Sequence, residues 1–190
     1  NYYICYVTLE NKNLSHLPVY LLSEDQMSRY AIYMATLGNR PDLFPGSEYV
    51  GKYTETPEGY EVPREYLDDE TFAAILSEAE KYIGYPYVWG GSSPATSFDC
   101  SGYVSWVINH SGWNVGRLGA QGLYNICTPT SNPQPGDLVF FKGTYDTPGV
   151  SHCGIYVGDG RMLHCGDPIG YANLNTSYWQ SHFYAYGRLP

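Results

Sequence analysis

Phe98-Asp99-Cys100-Ser101-Gly102-Tyr103 decides the reading of this chain, together with Ser151-His152-Cys153-Gly154-Ile155-Tyr156-Val157-Gly158-Asp159-Gly160 about fifty residues later. In the first run a cysteine stands where a helix opens, between small polar neighbours. In the second, a histidine opens a strand that runs into a glycine-rich turn. A cysteine attacks well only as its thiolate, and the partial positive charge at a helix N-terminus lowers its pKa. A histidine beside it stabilises the thiolate and carries the proton to the leaving group. The pair therefore reads as the parts of a thiol hydrolase, with Cys100 as nucleophile and His152 as base.

Working outward, Tyr85-Pro86-Tyr87-Val88-Trp89-Gly90-Gly91 lies ahead of the cysteine, and Pro135-Gly136-Asp137-Leu138-Val139-Phe140-Phe141 lies between the two runs. A hairpin from His152 to His164 follows. In this order, over roughly residues 70–190, the segments resemble the NlpC family of bacterial cell-wall cysteine peptidases. The resemblance implies a papain-like cysteine peptidase fold of the α+β class, with an antiparallel sheet packed against helices. It also implies a peptidoglycan hydrolase, extracellular or wall-associated, that cleaves the γ-D-glutamyl bond to the third-position diamino acid of stem peptides. No metal and no organic cofactor are required. Two alternatives stay open. One keeps the fold and cleaves another bond, as a cysteine amidase or cross-bridge endopeptidase. The other is a non-catalytic wall-binding module, against which the intact set of Cys100, His152 and His164 argues.

The resemblance also supplies candidate roles. His164 is the third member, orienting the His152 ring, at a position the family fills with His, Asn or Gln. Tyr87 matches a tyrosine close to the nucleophile that donates to the oxyanion, beside the backbone N–H of Cys100. Asp99 and Ser101 either cap the helix or match residues that help bind a free N-terminal amine of the stem peptide. Gln121 matches a family glutamine, with a structural role as the alternative. His16, His110 and His182 have no motif context.

The bulk properties set limits. At 190 residues the chain suits one domain, or one domain with a small appendage. No apolar run is long enough to span a membrane, and no signal peptide opens the chain. It begins at Asn1, as expected of a fragment or of mature material with any targeting segment removed. The net charge of −9 is concentrated in residues 45–70, which carry eight acids and two bases. No basic patch exists to neutralise phosphates, which argues against nucleic-acid binding. The 21 tyrosines read first as amphipathic packing and second as a stacking surface for glycans or peptides.

Residues 1–66 read as an N-terminal strand–helix segment plus an acidic extended arm, and residues 67–190 as the catalytic domain. Tyr2 to Leu9 alternates like a strand. Ser23 and Gln26 form a capping box for a helix to about Leu37. The tyrosines at 49, 53, 60 and 66 favour an arm that packs rather than a free linker. This N-terminal part resembles nothing nameable; contact with the wall or with a secretion apparatus is one expectation. Further helices are expected from Asp69 or Thr71 to about Ile83, from Cys100 to about His110, and from Arg117 to Ile126. Strands are expected at 137–142, 152–157, 161–165 and 183–188.

Cys153 and Cys165 each follow one of the histidines. They are expected to face away from the site as two buried thiols, close to each other. The repeated His-Cys dipeptide raises zinc, but adjacent strand residues point to opposite faces and the usual ligand spacing is absent. The hairpin register then decides the site. A two-residue Asp159-Gly160 loop sets Ile155 opposite His164, which turns His164 away from His152. A three-residue loop pairing Val157 with Arg161, or a bulge restoring the same parity, sets Gly154 opposite His164 and puts both rings on one face. The second arrangement is the expected one.

Overall fold

The computed structural model describes residues 60–190, with Leu22, Ser23 and Gln26 ahead of them. The expected capping box is present. Ser23 N–H donates to Gln26 Oε1 at 3.0 Å, and Gln26 N–H to Ser23 Oγ at 3.4 Å. The rest of the N-terminal strand and helix, and the arm before Tyr60, lie outside the described residues.

The described end of the arm packs on the histidine hairpin. Tyr66 donates its hydroxyl to Asp159 at 2.9 Å, and Tyr60 donates to the Val157 carbonyl at 3.4 Å. A 3-10 turn, Arg64–Asp68, leads into α1, Glu70–Glu80. Asp69 caps α1 by accepting from the N–H groups of Thr71 and Phe72. Phe72, Ile75, Leu76 and Ala79 fall at helical spacing, and all are buried. The helix ends before the expected Ile83. Turns carry the chain to Gly84, whose φ of +88° suits only glycine and whose N–H bonds the Ile169 carbonyl.

A two-residue pair, β1 (Ser92–Ser93) and β2 (Ser97–Phe98), precedes α2, Cys100–Asn109. Next come α3 (Ala120–Ile126), β3 (Thr128–Thr130), β4 (Leu138–Lys142), β5 (Val150–Gly158), β6 (Arg161–His164), β7 (Gly170–Asn173), α4 (Ser177–His182) and β8 (Phe183–Arg188). The last six strands form one antiparallel sheet in the order β3-β8-β4-β5-β6-β7. Helices beside an antiparallel sheet are the α+β arrangement expected. Strands β3 and β7 were not anticipated. Pro129 and Gly170 weaken a strand reading, and both strands are sheet edges, where such residues are tolerated. Helix α3 starts at Ala120 rather than Arg117, because Gly119 takes the cap position and the Arg117 side chain is drawn to Asp99.

Strand β4 shows why the sheet is covered on both sides. Leu138 and Phe140 enter the main core with Phe72, Val104, Val107 and Ile155. Val139 and Phe141 enter a second core on the other face with Met162, Ala172, Leu174 and Trp179.

The start of α2 is held by backbone against backbone. The Gly91 carbonyl accepts the Asp99 N–H at 3.0 Å, and a Cβ on Gly102 would run into that same carbonyl. Alanine favours a helix by about 1 kcal/mol over glycine. Overpacking against an immovable carbonyl costs about 1–3 kcal/mol. Gly102→Ala should therefore lower stability despite its better helix propensity, and denaturant unfolding would show it. A more stable variant would mean that Gly91 and Gly102 do not meet.

Candidate active site

Cys100 is the first residue of α2 and is buried, 6% exposed. The preceding Asp99 caps the helix and holds the surrounding segments together. Its carboxylate accepts from Gly102 N–H at 2.7 Å, Gly90 N–H at 3.1 Å and Ser101 Oγ at 3.1 Å. Arg117 Nη2 lies 2.8 and 2.7 Å from the two carboxylate oxygens, and its Nη1 donates to Ser101 Oγ at 2.9 Å. Both polar flanks of the cysteine are thus engaged within the chain, with geometry that suits the capping alternative. Arg117 escaped the sequence reading. The signal available was that no other arginine lies between Arg64 and Arg161.

His152 sits near the start of β5, and His164 ends β6. The hairpin between them closes with Gly158 paired to Arg161, a two-residue turn at Asp159 and Gly160 with φ of +50° and +68°. That closing pair by itself would turn His164 away. A register shift between Tyr156 and Gly158 intervenes, so Tyr156 pairs with Met162 and Ile155 with Leu163. The bulge at Val157 restores the parity. Gly154 then faces His164, and a Cβ on Gly154 would come within 3.0 Å of the His164 Cβ. His152 Nε2 and His164 Nδ1 are 2.9 Å apart. The charge of His152 reaches Cys100 and favours its thiolate.

The Cys100 thiol is held well below the usual range for cysteine. The largest influence is the neighbouring Cys153 thiol; burial opposes it, and His152 adds to the lowering. This corrects the expectation that Cys153 lies behind the site. Cys153 does face away from His152, but that face carries α2, whose first residue is Cys100. Cys165 is the thiol that turns elsewhere, donating to the Phe98 carbonyl at 3.2 Å. The four described cysteines are all free thiols.

Tyr87 is half-buried, next to the start of α2, and bridges to Phe98. Burial, followed by the charge of Cys100, pushes its hydroxyl far up, so it stays a proton donor. Gln121 braces the start of β5. Its Oε1 accepts the Val150 N–H at 3.0 Å, and its Nε2 donates to Asn125 at 2.8 Å. Among the described residues, no group of three or more His, Cys, Asp or Glu side chains is placed to hold a metal ion.

Trp179 was missed altogether. It lies in α4, a six-residue helix whose polar sequence carries no clear period, with Thr176 as its N-cap. The indole is buried. It stacks on His152 at 5.4 Å and 27°, meets His164 edge-on at 5.2 Å and 85°, and packs on Phe141 at 4.6 Å. It covers the outer side of the histidine pair and keeps water from their mutual hydrogen bond.

The NlpC/P60 family profile matches residues 84–188, more than half of the chain. The chain belongs to the NlpC/P60 family. It is 43% identical over 121 residues to the bifunctional muramidase/DL-endopeptidase CwlT of Bacillus subtilis, covering 62% of this chain and 36% of that protein. It is 43% identical over 117 residues to the probable endopeptidase p60 of Listeria seeligeri, covering 60% of this chain and 22% of that protein. The match thus spans about a third or less of these curated relatives. An NLP/P60 family crystal structure from Staphylococcus aureus superposes with a TM-score of 0.61 at 34% identity, covering 88% of this chain and 62% of that one. The papain-like α+β architecture is common to this family.

Trp179→Phe should keep the fold and most activity. Trp179→Ala should lower kcat by about tenfold with little change in KM, since such ring contacts contribute about 0.5–1.5 kcal/mol each. Steady-state kinetics of the two variants test this, and an alanine variant as active as the parent would remove Trp179 from the site.

Proposed function

We propose that this protein is a peptidoglycan hydrolase in which Cys100, His152 and His164 form a catalytic triad. The observation that carries this reading is the His152–His164 hydrogen bond at 2.9 Å, with His152 near enough to the helix-opening Cys100 for its charge to lower the thiol's pKa. A nucleophile, a proton carrier and an orienting group in series is the arrangement that thiol acyl transfer requires. Residues 67–190 are the catalytic domain in this reading, and residues 1–66 are an appendage toward the wall or a partner. Its place of action is outside the cell or at the wall.

The substrate in this reading is the stem peptide, cut between γ-D-glutamate and the diamino acid. The names of the relatives, a DL-endopeptidase and a probable endopeptidase, support it. The Cys100 thiolate attacks the γ-carbonyl carbon. The oxyanion is met by the Cys100 backbone N–H and the Tyr87 hydroxyl. Protonated His152 gives its proton to the departing amine of the diamino acid, leaving a thioester on the glutamyl side. Water, deprotonated by His152, then releases the glutamate and restores the thiol. Trp89, 71% exposed, meets the ring of Tyr145 at 5.3 Å, and Tyr145 lies close enough to Cys100 to feel its charge. This exposed aromatic pair fits a surface on which the substrate rests.

Digestion of purified peptidoglycan followed by mass spectrometry tests the bond. Fragments ending in γ-D-glutamate, with a free amine on the diamino acid, are expected; release of the whole stem peptide from the glycan would replace this reading with an amidase.

Cys100→Ala should abolish hydrolysis without unfolding the protein, and activity retained within about tenfold would exclude the mechanism. His164→Ala should lose less than His152→Ala, because orientation matters less than proton transfer. A His164→Ala enzyme equal to the parent would reduce the site to a dyad.

Iodoacetamide should label Cys100 before the other described thiols. Burial pushes Cys127 up to about 12 and Cys165 well above the usual range, and the neighbouring Cys100, followed by burial, does the same to Cys153. Peptide mapping that finds Cys127 labelled first would contradict the assignment.

A further inference from the structure

The histidine pair depends on one bulge, and the end of the acidic arm grips it. Val157 is the extra residue of β5: its neighbours Tyr156 and Gly158 pair with Met162 and Arg161, which are adjacent in β6. Val157, Gly158 and Asp159 are each met by a tyrosine of the arm. Tyr60 donates its hydroxyl to the Val157 carbonyl at 3.4 Å. The Tyr66 ring lies on Gly158, where a Cβ would come within 2.4 Å of it. The Tyr66 hydroxyl donates to Asp159 Oδ1 at 2.9 Å. The Tyr60 ring also reaches the next two strands. It lies under the Arg161 guanidinium of β6 at 4.7 Å and meets Tyr171 of β7 edge-on at 5.3 Å. Tyr171 in turn donates to Glu80, the last residue of α1, at 2.5 Å.

We infer that Tyr60 and Tyr66 are positioning residues of the proposed reaction: they clamp the bulge at Val157 and so hold His164 in line with His152. This rests on the triad reading. The core sets the register itself, since Met162 and Leu163 are buried on opposite faces and a slip would exchange them. The local shape of the bulge is another matter. A bulge leaves one residue outside the ladder and bends its strand, and here Gly158, with φ of +93°, follows directly. The far side of the tip is held from β7, where Leu174 N–H donates to the Gly160 carbonyl at 2.8 Å. The arm supplies the near side, at the bulge.

A change of bend at Val157 shifts β6 against β5. The bond between His152 Nε2 and His164 Nδ1 measures 2.9 Å and stays a good one only to about 3.2 Å. Burial, then the charge of Asp159, pushes the Tyr60 hydroxyl up to about 12, so it remains a donor. Both tyrosines precede the residues, 84–188, that the family profile matches, so the clamp belongs to this chain's own arm. Residues 60–66 then work with the catalytic domain that follows them.

Tyr66→Phe removes one hydroxyl and keeps the ring; Tyr60→Leu removes the ring contacts as well. Steady-state hydrolysis of a defined muropeptide tests them, at a temperature where circular dichroism shows every variant folded. Each should lower kcat about three- to tenfold with KM within about twofold of the parent, the mark of lost alignment. Asp159→Asn, which keeps an acceptor for Tyr66, should stay near the parent. In a His164→Ala background the same substitutions should add nothing, because the arm acts through the histidine it aligns. A role in stability alone would lower the melting temperature and leave kcat of the folded enzyme in place.

A second readout is independent of turnover. The proton between His152 and His164 gives a downfield NMR resonance, identified by its loss in His164→Ala, and it should move upfield or broaden in Tyr66→Phe. Unchanged kcat in both variants, an unmoved resonance, or a fall in kcat that persists in full without His164 would overturn the inference. Should Tyr60→Leu fail to fold, Tyr66→Phe, which loses a single oxygen, carries the test. Hydrolysis surviving in Cys100→Ala or His152→Ala would instead remove the triad, and the resonance would still report whether the arm aligns the two rings.

Discussion

The carboxylate of Asp99 is the point on which the site depends. It terminates the N-end of α2, receives the guanidinium of Arg117, and takes the N–H of Gly90 from the segment ahead. Three separate stretches of chain are therefore tied to the residue before the proposed nucleophile. Charge-assisted bonds of this kind are stronger than neutral ones and more demanding in geometry. The arginine makes a buried carboxylate tolerable, and the carboxylate satisfies the exposed helix end. Gly91 and Gly102 complete the clamp, since their backbones approach too closely for any side chain. Rigidity at this point matters for the proposed mechanism, because a thiolate placed a fraction of an ångström away would no longer meet both His152 and the proposed oxyanion donors.

A clamp with a carboxylate in it has an electrostatic cost. The charge of Asp99 pushes the Cys100 pKa up, and so does burial. Against these stand the helix N-terminus, His152 and Cys153. The result is a thiol well below its ordinary range inside a protein core, where an isolated thiol would be pushed the other way. Cys165, the residue directly after His164, shows that opposite case: enclosed, facing a carbonyl, and raised. Surroundings, not burial alone, separate the lowered thiol of Cys100 from the raised ones.

The histidines are controlled by a different device. Their alignment depends on one bulge, at Val157, in the strand that carries His152. Tyr66 and Tyr60 bind the tip of that hairpin, and a Cβ at Gly158 would collide with the Tyr66 ring. The end of the acidic arm thus supports the element that sets histidine geometry, and Trp179 closes the opposite side.

Much of this was legible along the chain because it is local. The helix opening at Cys100, the cap at Asp69, the buried stripe of α1 and the strands at β4, β5, β6 and β8 follow from periodicity and capping chemistry acting over a few residues. The proposed nucleophile and its two histidines were legible for the same reason, each sitting in a short run with its own signature. Parity arithmetic reached the requirement that His152 and His164 share a face, and left open whether loop length or a bulge would meet it. The tertiary structure alone decided the bulge, the approach of Arg117 to Asp99, the cover of Trp179 over the histidines, and the placement of Cys153 against Cys100. Each of these joins residues far apart in sequence, and a local pattern states which face a side chain takes, not what stands opposite it. Alternation correctly put Cys153 on the face away from His152; only the packing of α2 on the sheet made that face part of the site.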